Sequence, residues 1–237
     1  EPAVKAAREA DRRAHDEAEV RRIANVDALM AGDESAVVAA VQGALEGLRA
    51  PVSAPVSVTD VGPEGIVLEL ALPTVEEAVP AQRSTLLRSG RISYRNRPKR
   101  DVIDLYTRVV ASLPILHGAL ALDAAPTLQV VLVSGVRDAV DPRSGQDAEE
   151  CLVSVLLDRE ALSALKLDRV DPGVALENFE ARYRPTVTAG LRPVEPLTAE
   201  ALLAADAEPA PTEPELAVAP LPRRRSGRTA SVEAAAG

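Results

Sequence analysis

The residues best suited to binding chemistry form a basic segment between positions 83 and 100. This segment contains seven Arg or Lys side chains and no Asp or Glu, although the whole chain has a formal net charge of −9. The seven cations are Arg83, Arg88, Arg91, Arg95, Arg97, Lys99 and Arg100. Guanidinium and ammonium groups bind phosphate and carboxylate oxygens. The segment is therefore a candidate surface for contact with nucleic acid or with an acidic partner.

The spacing of these cations indicates which of them act together. The candidate contact residues for phosphate or for an acidic partner are Arg91, Arg95, Arg97, Lys99 and Arg100. Residues an even number apart in a strand point to the same face, so the first three would share one face and Tyr94 would lie on the other. The alternative interpretation is an edge strand whose charges prevent unwanted pairing and whose arginines form ion pairs with the surplus acids of the protein.

Histidine and cysteine do not fall into a recognisable catalytic pattern. His15 is predicted on a polar, solvated helix, and His117 follows Pro114 by three residues, where an interrupted helix would leave a carbonyl for it to bind. Cys151 lies alone in an apolar run, which favours a small buried group over a reactive thiol. No nucleophile elbow and no glycine-rich phosphate loop occurs. We expect a protein without enzymatic activity and without a cofactor or metal, and an enzyme with an unrecognised site is the remaining alternative.

Acidic residues do not show the spacing of a restriction-type nuclease either. Such sites place an Asp or Glu two residues before a Lys, and none of the three lysines has an acid there. The pair Glu76 and Glu77 is explained by helix capping after Thr74. The pair Glu149 and Glu150 lies in or beside a predicted loop, where acids are solvated. Neither pair is predicted to bind a metal.

Composition predicts an aliphatic core in a cytoplasmic protein. The 237 residues include no Trp, one Phe and three Tyr, so Leu, Val and Ala must supply most of the buried area. The net negative charge argues against nucleic-acid binding over the whole surface. No apolar run approaches the ~20 residues of a bilayer span, and no signal peptide is visible. We therefore expect a cytoplasmic protein with no membrane contact.

Hydrophobic periodicity divides the chain into three parts. We predict a charged helical lead-in over 1–50, an α+β domain over 51–197 and a disordered tail over 198–237, where the apolar pattern is lost. A long helix is predicted over 101–122, kinked or split by Pro114. Its apolar stripe is Val102, Tyr106, Val109, Leu113, Leu116 and Leu120.

Two predicted strand pairs supply the sheet of this domain. Residues 56–72 read as a hairpin, and 128–157 read as an antiparallel pair joined by the loop 141–147. Two further short strands are predicted within 82–96. The predicted fold is an antiparallel sheet with the 101–122 helix packed on one face, preceded by a helical segment and followed by the disordered tail.

Capping residues predict the shorter elements. Asp33 is expected to begin a second helix, and Asp158 to begin a short helix after the second long strand. Asp171-Pro172 is expected to begin a helix that reaches about Tyr183. A final strand is predicted over 186–194.

Four separated segments resemble, in the same order, one group of bacterial proteins. The segments are Ser89-Gly90-Arg91-Ile92-Ser93, Asp104-Leu105-Tyr106, Asp141-Pro142-Arg143-Ser144-Gly145-Gln146 and the stretch from Leu167 to Phe179. They resemble the C-terminal region of uncharacterised bacterial proteins that carry a short β-rich N-terminal domain of unknown function. A related region lies next to predicted restriction-endonuclease domains. The resemblance covers residues 56–197 and implies no catalytic residues.

The resemblance and the start of the chain at Glu1 without a Met lead us to expect the downstream part of a longer polypeptide. We expect a non-enzymatic interaction or scaffolding module of a larger bacterial protein. Its partner would be an unknown protein or the upstream domain of the same polypeptide, contacted through 83–100 and the loop 141–147. The alternative is a nucleic-acid-associated accessory domain of a restriction or phage-defence system, with the arginines of 83–100 on the phosphate backbone.

Overall fold

The change from helical to strand periodicity near residue 56 matches the change in structure along the chain. The computed structural model describes residues 2–141, 143–188 and 190–198, so the predicted tail lies outside the described residues except for its first position. The helices are α1 (Pro2–Met30), α2 (Glu34–Glu46), α3 (Val75–Ala78), α4 (Lys99–Ala124), α5 (Arg159–Ser163) and α6 (Pro172–Ala175). The strands are β1 (Val56–Val61), β2 (Gly65–Ala71), β3 (Gln82–Leu86), β4 (Ile92–Asn96), β5 (Val130–Val140), β6 (Asp147–Asp158), β7 (Glu180–Tyr183), β8 (Pro185–Thr186) and β9 (Gly190–Leu191).

The main sheet contains five strands in the order β1-β2-β5-β6-β7. The α+β class and the long helix on one face are confirmed, as are the two predicted antiparallel pairs β1–β2 and β5–β6. The expectation of a wholly antiparallel sheet is wrong at one place, because β2 and β5 run parallel from the pair Gly65/Val130 to the pair Ala71/Val136. Parallel neighbours need a crossover connection, and the chain between these strands supplies it with α4.

Helix α4 runs unbroken from Lys99 to Ala124, so the predicted split at Pro114 does not occur. Proline removes one helical hydrogen bond, and here the ring is buried in the core, where packing offsets that loss. The predicted apolar stripe is buried only in part, because Leu116 is 40% exposed. The face against the sheet instead includes Gly118, whose lack of a side chain lets the helix approach Val133 and Leu157 closely.

The apolar content of α4 is explained by its place in the core. By length and hydropathy this helix could cross a membrane, but 56% of its apolar window is buried within the protein. The core helix of a soluble protein meets the same criteria, so the hydropathy of α4 is weak support for a membrane span.

The C-terminal end of α4 is capped by the side chain of the first residue of α5, directly after β6. Arg159 donates hydrogen bonds from Nη2 to the carbonyls of Leu122 and Ala125, at 2.6 and 2.9 Å, and from Nε to that of Leu128 at 2.8 Å. Helix C-termini leave carbonyls without partners, and a guanidinium with several donors satisfies more than one of them. This residue therefore joins α4 and the turn after it to the sheet.

Helix α2 shares the core of the domain. Asp33 caps it by accepting the Ala36 N–H at 3.0 Å, as predicted. Val37, Val41 and Leu45 are buried in the same cluster as the α4 and sheet residues. The predicted α+β domain began at residue 51, but α2, which precedes it, packs into the same hydrophobic core.

The second face of the sheet has a smaller apolar cluster. Val130 and Leu132 pack there with Leu197. The backbone N–H of Leu197 donates to Ser154 Oγ at 3.0 Å, and Ser154 Oγ shares a 2.9 Å hydrogen bond with Ser134 Oγ. The segment before residue 198 therefore lies across this face, fixed by a buried serine pair.

Two of the short-element predictions after β6 are wrong. The helix that begins after Asp171 ends at Ala175 and continues only as a 3₁₀ turn, Leu176–Asn178, before β7. Residues 180–183 pair instead with β6, because that strand needs a partner along its outer edge. The strand predicted over 186–194 is reduced to the two-residue strands β8 and β9.

The contact between α4 and the sheet predicts opposite effects for two helical glycines. A Cβ at Gly118 would collide with Leu157 Cδ1 in the core, whereas a Cβ at Gly43, on the exposed side of α2, meets nothing within 4 Å. We expect Gly118→Ala to lower the free energy of unfolding by about 1 to 3 kcal/mol through overpacking. Gly43→Ala should raise it by about 0.5 to 1 kcal/mol through helix propensity. Urea denaturation of both variants checks this, and a stabilised Gly118→Ala variant would contradict the packing described.

Candidate functional site

The basic segment folds into a two-stranded ribbon, residues 81–97, that is separate from the main sheet. Strands β3 and β4 pair only with each other, which confirms the two predicted short strands. At the tip, the N–H of Leu87 donates to the carbonyl of Arg91 at 2.8 Å, and that of Gly90 donates to the carbonyl of Leu87 at 2.9 Å. Gly90 has φ of 78°, which is typical of a three-residue hairpin loop with a glycine in the left-handed region.

One face of the ribbon is basic. Directly opposite residues in an antiparallel pair share a face, and Arg83 lies opposite Arg95. The same face holds Arg91, beside the tip, and Arg97, whose N–H bonds the Ala81 carbonyl at the base. The structure thus places Arg91, Arg95 and Arg97 together, as their spacing predicted, and adds Arg83 to them.

The arginines of this face differ in how they are neutralised. Arg83 approaches Asp101 at 3.7 Å, and Arg97 Nε donates to the Pro80 carbonyl at 3.0 Å. Arg91 and Arg95 have no ion pair or hydrogen-bonded side chain among the described residues. Among the described residues, an acid therefore pairs with only one of the four guanidiniums, Arg83, whereas the guarded-edge interpretation expects ion pairs to most of them. Like charges opposite each other destabilise a strand pair, so an anionic partner would relieve this repulsion.

The opposite face of the ribbon carries three exposed apolar side chains beside polar ones. Leu86 lies opposite Ile92, and Tyr94 follows on the same face opposite Ser84. These three side chains are 72%, 57% and 65% exposed, respectively. We did not predict this apolar face from the sequence. It could have been found from the same alternation that grouped the arginines, because in each strand the apolar residues occupy the positions between those of the basic face.

Lys99 and Arg100 lie at the base of the ribbon, in the first turn of α4. Both side chains are exposed. The N-terminal end of a helix carries partial positive charge, so cations there are unfavourable and add to the local positive potential. The acid in this turn, Asp101, is the residue that approaches Arg83. All five predicted contact residues therefore belong to the ribbon or its base.

The loop 141–147 closes the long β5–β6 hairpin at another part of the domain. Asp141 accepts the Arg143 N–H at 2.9 Å through Oδ1 and the Ser144 hydroxyl at 2.7 Å through Oδ2. These hydrogen bonds, led by the one from the Arg143 backbone, lower the pKa of the Asp141 carboxyl. The hydrogen bonds of the turn thus occupy the Asp141 carboxylate, whereas the Arg143 side chain is exposed.

His117 is buried in α4, only 3% exposed. Its Nδ1 donates to the Leu113 carbonyl at 2.7 Å. The carbonyl that Pro114 leaves without a helical partner is that of Val110, so the predicted hydrogen bond is present but its acceptor is a different carbonyl. Burial lowers the pKa of the imidazole, and the bond to Leu113 opposes this in part.

The other residues considered for chemistry have structural contacts. Cys151 is buried, and burial raises the pKa of its thiol, which donates weakly to the Val153 carbonyl at 3.3 Å. Glu77 forms the predicted capping box with Thr74, and Glu150 pairs with Arg137 at 2.9 Å. Within the described parts of the chain, no three His, Cys, Asp or Glu side chains lie close enough together to hold a metal ion.

Comparison with known proteins adds no family or structural relative. No family model, no curated protein and no solved structure matches this chain. The candidate site is therefore argued from the geometry of the ribbon.

Burial of a neutral histidine predicts a defined pH dependence of stability. The folded state resists protonation of His117, whereas the unfolded chain binds a proton with a pKa of about 6.5. The unfolded state therefore binds more protons below about pH 6.5, and the histidine lowers the free energy of unfolding as the pH falls, by at most ~1.4 kcal/mol per pH unit.

Replacement by Asn, which keeps a donor near the Nδ1 position, should remove this part of the pH dependence. Urea denaturation at about pH 7 and about pH 5 would show a smaller loss of stability in His117→Asn than in the unmodified chain. His15→Gln, a change at an exposed histidine of α1, is the matched control. Equal losses in His117→Asn and the unmodified chain would mean that His117 is protonated in the folded protein.

Proposed function

We propose that this chain is a non-enzymatic interaction module that binds a protein partner through the ribbon. The observation that carries this proposal is the exposure of three large apolar side chains, Leu86, Ile92 and Tyr94, on one face of an arm whose other face is basic. Exposed apolar groups on adjacent positions mark protein contact sites, because water contact with each costs free energy that a partner recovers. The partner would present an apolar groove bordered by Asp or Glu.

The distribution of charge favours a protein over nucleic acid as this partner. The chain carries a net charge of −9, which repels a polyanion at long range. A duplex bound only through the basic face would leave the apolar face in water. An acidic protein groove that closes around both faces would use every exposed group of the ribbon. The partner is an unknown protein or an upstream domain of the same polypeptide, in keeping with a module of a larger bacterial protein.

Crosslinking from the ribbon tests this proposal in cells of the source organism. A photoreactive phenylalanine analogue at position 94 should yield one dominant adduct, identified by mass spectrometry. The double variant Leu86→Ser/Ile92→Ser should abolish this adduct, because the apolar contact is lost. Its free energy of unfolding should change by no more than about 0.5 kcal/mol per site, since both side chains are exposed.

A matched control uses an exposed apolar residue outside the ribbon. Val187 is 72% exposed. The photoreactive analogue placed at position 187 should not give the adduct seen from position 94. Val187→Ser, combined with the analogue at position 94, should leave that adduct unchanged. No adduct from position 94, or one that persists in the double variant, would contradict the proposal.

A nucleic-acid-associated accessory domain is the second candidate function. It is favoured by Arg91 and Arg95, which have no side-chain partner in the described parts of the chain, and by Lys99 and Arg100 at the base of the ribbon. Binding to a phosphate backbone would release counterions and weaken steeply with salt. The role in a restriction or phage-defence system is carried over from the sequence resemblance.

A salt titration distinguishes this candidate from the first. If the ribbon binds DNA, fluorescence anisotropy with a labelled duplex will show an affinity that falls with salt. The slope of log K against log salt will be reduced in magnitude by about 2 in Arg91→Ala/Arg95→Ala. The control is Arg49→Ala/Arg169→Ala, which removes two exposed arginines outside the ribbon and the loop 141–147. No binding at low salt, or equal slopes in both double variants, would reject DNA contact by the ribbon.

A further inference from the structure

A groove of ≈ 500 Å³ lies between the C-terminal half of α2, the chain that leads into β1, and α4. Its lining is mixed, with aliphatic surface from Leu45, Val52 and Val56 and polar atoms elsewhere. Polar groups contributed by Gln42 and Glu46 border it, and both of these side chains are exposed. This groove belongs to the main body of the domain and includes no residue of the ribbon.

The imidazole of His117 lines this groove from α4. Its Nδ1 is held as a donor by the Leu113 carbonyl at 2.7 Å, so in the neutral ring Nε2 carries a free lone pair. No described residue bonds to Nε2. Nε2 is not among the buried side-chain atoms that lack a partner in the described residues, so it is reached from the groove. The structure therefore has, on a ring that is only 3% exposed, an accessible hydrogen-bond acceptor that no described residue uses.

The chemistry of the lining residues restricts what this groove can hold. No Lys or Arg occurs among the described residues that line it, whereas the carboxylate of Glu46 lies at its border. Carboxylates and phosphates would therefore be repelled and would find no cation to neutralise them. The aliphatic side chains Leu45, Val52 and Val56 favour an apolar body, and the lone pair on Nε2 can accept from an O–H or N–H donor. Burial of His117, which keeps its pKa low, maintains the acceptor form.

We propose that this groove binds a small, uncharged molecule with an apolar ring or chain and one hydroxyl or N–H group, which donates to Nε2 of His117. The apolar body contacts Leu45, Val52 and Val56. Binding would join α2 to α4 through the ligand, since each helix supplies one wall of the groove. This site is independent of the partner proposed for the ribbon.

Two probes of equal shape test the proposal with the intact chain. The probe p-cresol carries a hydroxyl where p-xylene carries a methyl group, so only the former can donate to Nε2. We expect p-cresol to bind ~3- to 10-fold more tightly than p-xylene, the range that one hydrogen bond supplies. The Nε2 resonance of His117 in a long-range ¹H–¹⁵N spectrum should move upfield with p-cresol and stay in place with p-xylene.

Two variants separate the hydrogen bond from the groove itself. His117→Phe should lose the preference for p-cresol over p-xylene, because the acceptor is lost while the aliphatic side chains of the groove remain. Val52→Trp, a change at a half-buried position in the chain before β1, should weaken both probes by filling the groove while His117 is retained.

Three results would overturn the proposal. They are equal affinity of the two probes for the unmodified chain, a p-cresol-induced shift elsewhere with Nε2 unchanged, and binding that Val52→Trp does not affect. The second of these is also the result expected if a tightly held water occupies Nε2 and is not displaced. Because the ribbon is unaltered in both variants, failure of this site would leave the proposed partner contact untouched.

Discussion

The parallel pairing of β2 with β5 is the constraint on which the rest of the structure depends. Two parallel neighbours cannot be joined by a tight turn, so the chain between them must cross the sheet. Helix α4 makes that crossing, and it covers a face of buried valines and leucines that water would otherwise reach. The ribbon lies within this connection, and the groove lies where α2 meets the same helix. Both candidate sites therefore lie beside the crossover helix, the ribbon just before it in the chain and the groove along its contact with α2.

Sequence reasoning located most elements because their signals are local. Alternation in 56–72 and apolar, β-branched runs in 128–157 predicted the two hairpins, and the caps Asp33, Thr74 and Asp158 predicted where three helices begin. The parallel pair was missed because nothing in either strand specifies the direction of a distant neighbour. The buried face of α4 differs from the predicted apolar stripe because it includes Gly118. A glycine gives no hydrophobic signal in the sequence, yet its lack of a side chain is what lets the helix pack closely on the sheet. Residues 180–183 were predicted as the end of a helix, but they form the edge strand that pairs with β6, a long-range contact that the local sequence does not specify.

The candidate site was predictable in part and for a similar reason. Even spacing correctly grouped Arg91, Arg95 and Arg97, because strand geometry alone decides which side chains share a face. The apolar side of the ribbon became apparent only when the structure separated β3 and β4 from the main sheet. In a strand that packs on a core, Leu86, Ile92 and Tyr94 would face inward and need no partner. The functional interest of these residues thus comes from where the ribbon lies, which their own sequence does not encode.

The ribbon begins and ends at one place, since the N–H of Arg97 bonds the carbonyl of Ala81 at 2.9 Å. An arm with such a closed base can lengthen, shorten or change its side chains without moving the strand before it or the helix after it. The side chains of the ribbon can therefore be varied independently of the core, and a hairpin of different sequence can be grafted at this base while the sheet and α4 keep their positions.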